Sequence, residues 1–109
     1  MQQHKLIATQ TAKRHLVELE QDPSKKAILK AVRKTLALME NNLRHPSLNT
    51  HEFTSLSGPT DEKVFEAYAQ QKTPCAYRIF WYYGPRKGEL TIIAIVPHPN
   101  KSRVCVQYI

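Results

Sequence analysis

An α+β domain, with an N-terminal helical hairpin packed on one face of a mostly antiparallel sheet, is the fold this sequence predicts. Three observations predict it. Apolar residues recur at helical spacing through the first part of the chain. After about residue 50 the chain breaks into short β-rich runs separated by Gly, Pro, Asn and Asp. The order is helix, helix, then strands, which segregates the two kinds of structure.

Residues 1–21 hold the first helix, with Ala8, Ala12, His15, Leu16 and Leu19 on one stripe. Thr9 and Thr11 are both suitable caps. Lys5 to Ala8 reads equally well as a short strand leading into the helix, and the pattern does not choose. Asp22-Pro23 ends this helix and starts the next, because Asp caps well and Pro suits a first helical turn. The second helix is expected from about Pro23 to Asn41, burying Ile28, Val32, Leu36, Met39 and Leu43. Its lysines and arginines read as a solvated face. So short a link makes the two helices an antiparallel hairpin.

Strands follow at residues 51–56, 63–69, 75–83, 90–96 and 103–109. The third and fourth of these form the central hairpin. Residues 75–83, CAYRIFWYY, are aromatic and β-branched, and residues 90–96, LTIIAIV, suit a strand covered on both faces. Gly84-Pro85-Arg86-Lys87-Gly88 is the turn between them. Strand alternation puts Tyr77, Ile79, Trp81 and Tyr83 on one face and Arg78, Phe80 and Tyr82 on the other.

The chain has 109 residues and 41% hydrophobic content, enough for one domain, residues 1–109, with a modest core. No apolar run approaches the roughly 18 residues that span a bilayer. The first ten residues lack the apolar core of a signal peptide, so a cytoplasmic location is expected. Cys75 and Cys105 are too few for a disulfide framework and read as small buried hydrophobes. A net charge of +7 favours an acidic partner, nucleic acid or an acidic protein segment.

Arg78 breaks an otherwise apolar strand. A permanent charge there needs a partner, a solvated face or an anionic ligand. With one sheet face under the helices, the other is expected to be available, with Arg78, His51, His98, Arg103 and Tyr82 on or near it. No phosphate loop, nucleophile elbow or paired metal-binding histidines occur in the sequence, so no metal or small-molecule cofactor is expected. Arginine, histidine and tyrosine in a basic protein suit RNA. Arg78 would pair with phosphate, Tyr82 would stack on a base, and Arg103, Arg86 and Lys87 would add cationic contacts. The same set is able to cleave RNA, the 2′-OH being the nucleophile. His98 or His51 would act as base or acid, and Arg78 would stabilise charge on the phosphate. The plainer reading of His98, between Pro97 and Pro99, is a solvent-facing loop residue.

Three places in this order resemble the RelE/ParE superfamily of bacterial toxins, the toxin halves of toxin–antitoxin pairs. They are the link LRHPSLNTHEF, the strand motif Tyr77-Arg78-Ile79, and the apolar strand ending IVPH. The resemblance implies the α+β fold already described and a cognate antitoxin as partner. In the RelE branch it implies a ribosome-dependent endoribonuclease that cleaves messenger RNA, with the family's strand arginine at Arg78 and its terminal His/Lys position at His98. In the ParE branch it implies a protein target, gyrase, and no RNA cleavage; a degenerate interaction module is a third possibility. The chain departs from the RelE pattern at Pro99, at Thr50-His51-Glu52 where lysines are common, and in the offset of Tyr108 from His98.

Overall fold

The computed structural model describes residues 3–71 and 75–97. The expected last strand, and with it His98, Arg103, Cys105 and Tyr108, lies outside these residues.

Lys5–Ala8 forms a strand, β1, which decides what the sequence left open. Helix α1, Gln10–Glu20, follows at once because Thr9 caps it: the hydroxyl accepts the Ala12 N–H at 3.1 Å. Asp22 then accepts the Ser24 N–H at 3.0 Å and shapes a 3-10 turn, Pro23–Lys25. Helix α2, Lys26–Asn41, starts just after that turn, three residues later than the sequence suggests. A second 3-10 turn, Pro46–Leu48, is capped by the His45 side chain. It leads into β2 (His51–Ser57). Strands β3 (Lys63–Tyr68), β4 (Tyr77–Tyr83) and β5 (Glu89–Pro97) complete the sheet. At the β4–β5 turn Gly84 and Gly88 adopt φ of 114° and 83°, a region that L side chains rarely adopt.

The sheet order is β1-β5-β4-β3-β2, with β1 parallel to β5 and every other pair antiparallel. β5 is therefore internal, flanked by β1 and β4, and its apolar composition follows from that position. The fold class is the predicted one, with β1 added at the far edge.

The helices pack on one face. Val32 and Met39 of α2, with half-buried Leu36, share a core with Leu19, Tyr77, Ile79, Trp81 and Ile92. Trp81 is wholly buried and stacks on Phe65, with ring centroids 5.1 Å apart. The expected stripe of α2 is shifted slightly: Thr35 is buried, whereas Ile28, Leu36 and Leu43 are only half-buried. Thr35 tolerates burial because its hydroxyl donates to the Ala31 carbonyl at 2.8 Å.

The opposite face is not the open surface the sequence suggested. Val64, Phe80, Ala94 and Val96 form a second buried cluster there, with Phe53, Leu56 and Ile93 against it. Cys75 also differs from expectation. It is half-buried rather than buried and adopts φ 57°.

Candidate active site

Four side chains from three adjacent strands meet at the margin of this second face: His51 on β2, Glu66 and Tyr68 on β3, and Arg78 on β4. Strand register brings them together. His51 lies opposite Glu66, and Tyr68 lies opposite Arg78. Residues 64, 66 and 68 share a face by alternation, so Glu66 sits between the His51 and Arg78 positions.

Arg78 is held from several sides. Its Nη1 donates to the Gln70 carbonyl at 2.6 Å and to the Tyr77 carbonyl at 3.3 Å. Its Cζ lies 3.6 Å from the centroid of the Tyr68 ring, within cation–π range. Only 8% of Arg78 is exposed. Its buried Nε has no hydrogen-bond partner among the described residues and stands 3.9 Å from Glu66 Oε2. That is long for a hydrogen bond. The guanidinium is thus fixed in place while keeping donor capacity.

Glu66 is fully buried. A buried carboxylate requires nearby cations, since its hydration is lost. Arg78 supplies one charge, and His51 Nε2 approaches Oε1 to 2.7 Å. This approach is close but not aligned as a hydrogen bond, so it is an ion-pair contact when the imidazole is protonated. The other ring nitrogen of His51, Nδ1, is 2.9 Å from the Asn49 carbonyl. A carbonyl only accepts, so Nδ1 carries the proton and Nε2 is the nitrogen turned to the carboxylate. The Tyr68 ring meets the imidazole edge-on, with centroids 5.7 Å apart. The His51 side chain is 47% exposed, so the imidazole joins the buried carboxylate to solvent.

Of the residues singled out from sequence, this arrangement unites Arg78 and His51. Tyr82 shares the face with Arg78 but is 8% exposed and is not a free stacking platform. Arg86 and Lys87 are exposed in the β4–β5 turn, at the far end of β4 from Arg78. Five strand steps separate Arg78 from Tyr83, about 17 Å, so these cations do not join the cluster. Sequence reasoning missed Glu66 and Tyr68. The signal was the in-phase placement of Val64, Glu66 and Tyr68, with one carboxylate in an apolar strand, but only the register shows what that carboxylate faces.

A fixed guanidinium beside an imidazole–carboxylate pair is able to bind an anion and transfer a proton. Among the described residues, no cluster of three or more His, Cys, Asp or Glu side chains is placed to hold a metal ion. No helix among them is long and apolar enough to cross a membrane.

No family model and no curated protein matches this chain. Solved structures do. A YoeB/ParE toxin from Agrobacterium tumefaciens superposes with a TM-score of 0.62 at 9% identity, covering 87% of this chain and 99% of that one. The archaeal RelE–RelB complex from Pyrococcus horikoshii OT3 gives 0.58 at 14% identity, covering 87% and 94%. The YoeB dimer from Staphylococcus aureus gives 0.53 at 10%, covering 85% and 94%. At such identities the likeness speaks for architecture: the chain has the RelE/ParE-like fold.

Proposed function

We propose that this chain is the toxin of a bacterial toxin–antitoxin pair and that it cleaves messenger RNA on the ribosome. The observation that carries this reading is Arg78: a nearly buried guanidinium, braced by Tyr68 and two carbonyls, beside a histidine and a carboxylate. The shared fold with YoeB/ParE and RelE toxins supports the toxin assignment, and the RelE–RelB complex supports an antitoxin as partner.

The chemistry follows from the parts. The 2′-OH attacks the adjacent phosphorus, and the bond to the 5′ oxygen breaks. The His51–Glu66 pair accepts the 2′-OH proton, which is then held between Nε2 and the Glu66 carboxylate 2.7 Å away. Arg78 stabilises the charge that develops on the non-bridging oxygens. An acid must protonate the departing 5′ oxygen. His98, outside the described residues, is the proposed donor.

Induced expression in a bacterial host, followed by primer extension on translated messages, tests the proposal. New 5′ ends within coding sequence are expected for wild type and should be lost for Arg78→Ala and His51→Ala. Growth arrest without any new RNA ends would instead assign the toxicity to a protein target, as in the gyrase-directed alternative.

A further inference from the structure

The link that delivers His51 to the sheet also walls a cavity. It encloses about 850 Å³, within the range of small-ligand sites. Arg44, His45, Asn49, His4 and Tyr83 are among its walls, and no carboxylate is among its described lining residues. The end of α2 borders it, and three of its carbonyls already have donors. Ala37 O accepts from the Asn41 side-chain amide at 2.9 Å, Leu38 O from the Asn42 N–H at 2.6 Å, and Glu40 O from the His4 N–H at 2.8 Å. With those acceptors satisfied, Arg44 is the one charged side chain among the described lining residues.

Two further observations point to a ligand. The Nδ1 of His4 is buried with no hydrogen-bond partner among the described residues. The Nδ1 of His45 accepts the Ser47 N–H at 3.1 Å, so in the neutral ring the proton sits on Nε2, a ready donor. Tyr83 adds a flat surface. It is 54% exposed, yet its ring is held edge-on by Phe65 and Trp81, at 5.6 and 4.8 Å between centroids. An aromatic ring that is exposed but already fixed loses little freedom when something stacks on it.

We infer that this cavity is a nucleotide subsite. Tyr83 stacks on the base, Arg44 pairs with the phosphate, and Asn49 and the histidines engage base or ribose edges. The inference extends the RNA-cleaving reading to a nucleotide remote from the scissile phosphate: Tyr83 lies five strand steps, about 17 Å, from Arg78 and on the opposite face of β4. The ligand chemistry, a planar base with a phosphate, is shared by a free nucleotide and by a nucleotide within an RNA strand.

Amide NMR spectra of the labelled full chain, titrated separately with adenosine 5′-monophosphate and with a short 2′-O-methyl oligoribonucleotide, test it. Shifts are expected at Arg44, Asn49, Thr50 and Tyr83. Tyr83→Ala should weaken binding by about fivefold or more, and Tyr83→Phe should bind as wild type, because stacking needs only the ring face. Arg44→Ala, at an exposed position, should weaken binding and lower the salt slope for the oligonucleotide by about 0.7. Lys30→Ala, an exposed charge on α2 outside the cavity, serves as control. Oligonucleotide binding alone assigns the site to an RNA strand, and binding of both ligands assigns it to the nucleotide itself. If neither ligand shifts these amides, or if Arg44→Ala and folded Tyr83→Ala both bind as wild type, the subsite is wrong. The oligonucleotide has no free 2′-OH, so binding is read even if the chain cuts nothing. Cavity binding without messenger-RNA cleavage would refute the reaction and leave the subsite.

Discussion

Arg78 is the residue on which the proposed chemistry and the local packing both turn. Its side chain is spread over four partners: two carbonyls, the Tyr68 ring and the Glu66 carboxylate. A lysine reaches one such partner as a point charge and cannot reproduce the planar fork. Arg78→Lys should therefore lower messenger-RNA cleavage nearly as far as Arg78→Ala. The expected loss is about 10²–10³ in rate, the usual cost of removing one charge stabiliser, read by single-turnover cleavage. Glu66→Gln should keep the fold and abolish the pairing with His51. In the proposed role it should lower the rate while leaving RNA affinity within about twofold of wild type, because base strength and not phosphate pairing is lost. A matched fall in affinity would make Glu66 merely the counter-ion of Arg78.

At the scale of elements, the central hairpin and the α1–α2 pair were legible in the sequence and the sheet edges were not. The strand YRIFWYY shows its two faces by alternation, and Trp81 does lie on the helix-facing core with Ile79, Val32 and Met39. Trp81→Ala should cost about 3–5 kcal/mol in denaturant unfolding, as for other large core truncations. A wild-type midpoint would mean the core lies elsewhere. β1 stayed ambiguous because its pairing is parallel and distant, joining Lys5 to Glu89. Glu66 was missed for a related reason. Its role depends on the β2–β3 and β3–β4 registers, which no local pattern carries.

One contact between elements makes a pH prediction. His15 of α1 is buried, and its Nδ1 accepts the Ile95 N–H of β5 at 3.1 Å. Burial holds the imidazole below its ordinary 6.5, with Glu18 opposing and Arg14 adding to the effect. A depressed folded value means the unfolded chain takes up the proton first as pH falls. The stabilisation is complete above about pH 6.5 and is lost as pH falls through the folded value. The melting temperature should thus decline on acidification below that point. His15→Gln, which retains an acceptor but does not titrate there, should flatten the decline. An unchanged slope would show that His15 does not couple α1 to the sheet.

For the whole molecule, charge and fold point to the same kinds of partner. A net +7 on 109 residues favours acidic ligands. An antitoxin would meet that surface with an acidic segment, and co-purification of a small acidic protein from the native host at moderate salt is the expected result. Recovery of ribosomes or nucleic acid alone would count against that partner. In the proposed function the exposed Lys and Arg side chains would promote encounter with RNA, and Arg78, nearly buried, would meet one phosphate. In the proposed reaction the Arg78–His51–Glu66 cluster cuts RNA. The most direct test incubates purified protein with ribosomes programmed with a defined messenger and maps the new ends over time. Wild type should cut the messenger at a fixed position, and folded Arg78→Ala and His51→Ala should do so at least about 10²-fold more slowly. Equal rates for all three proteins would rule out cleavage by this cluster.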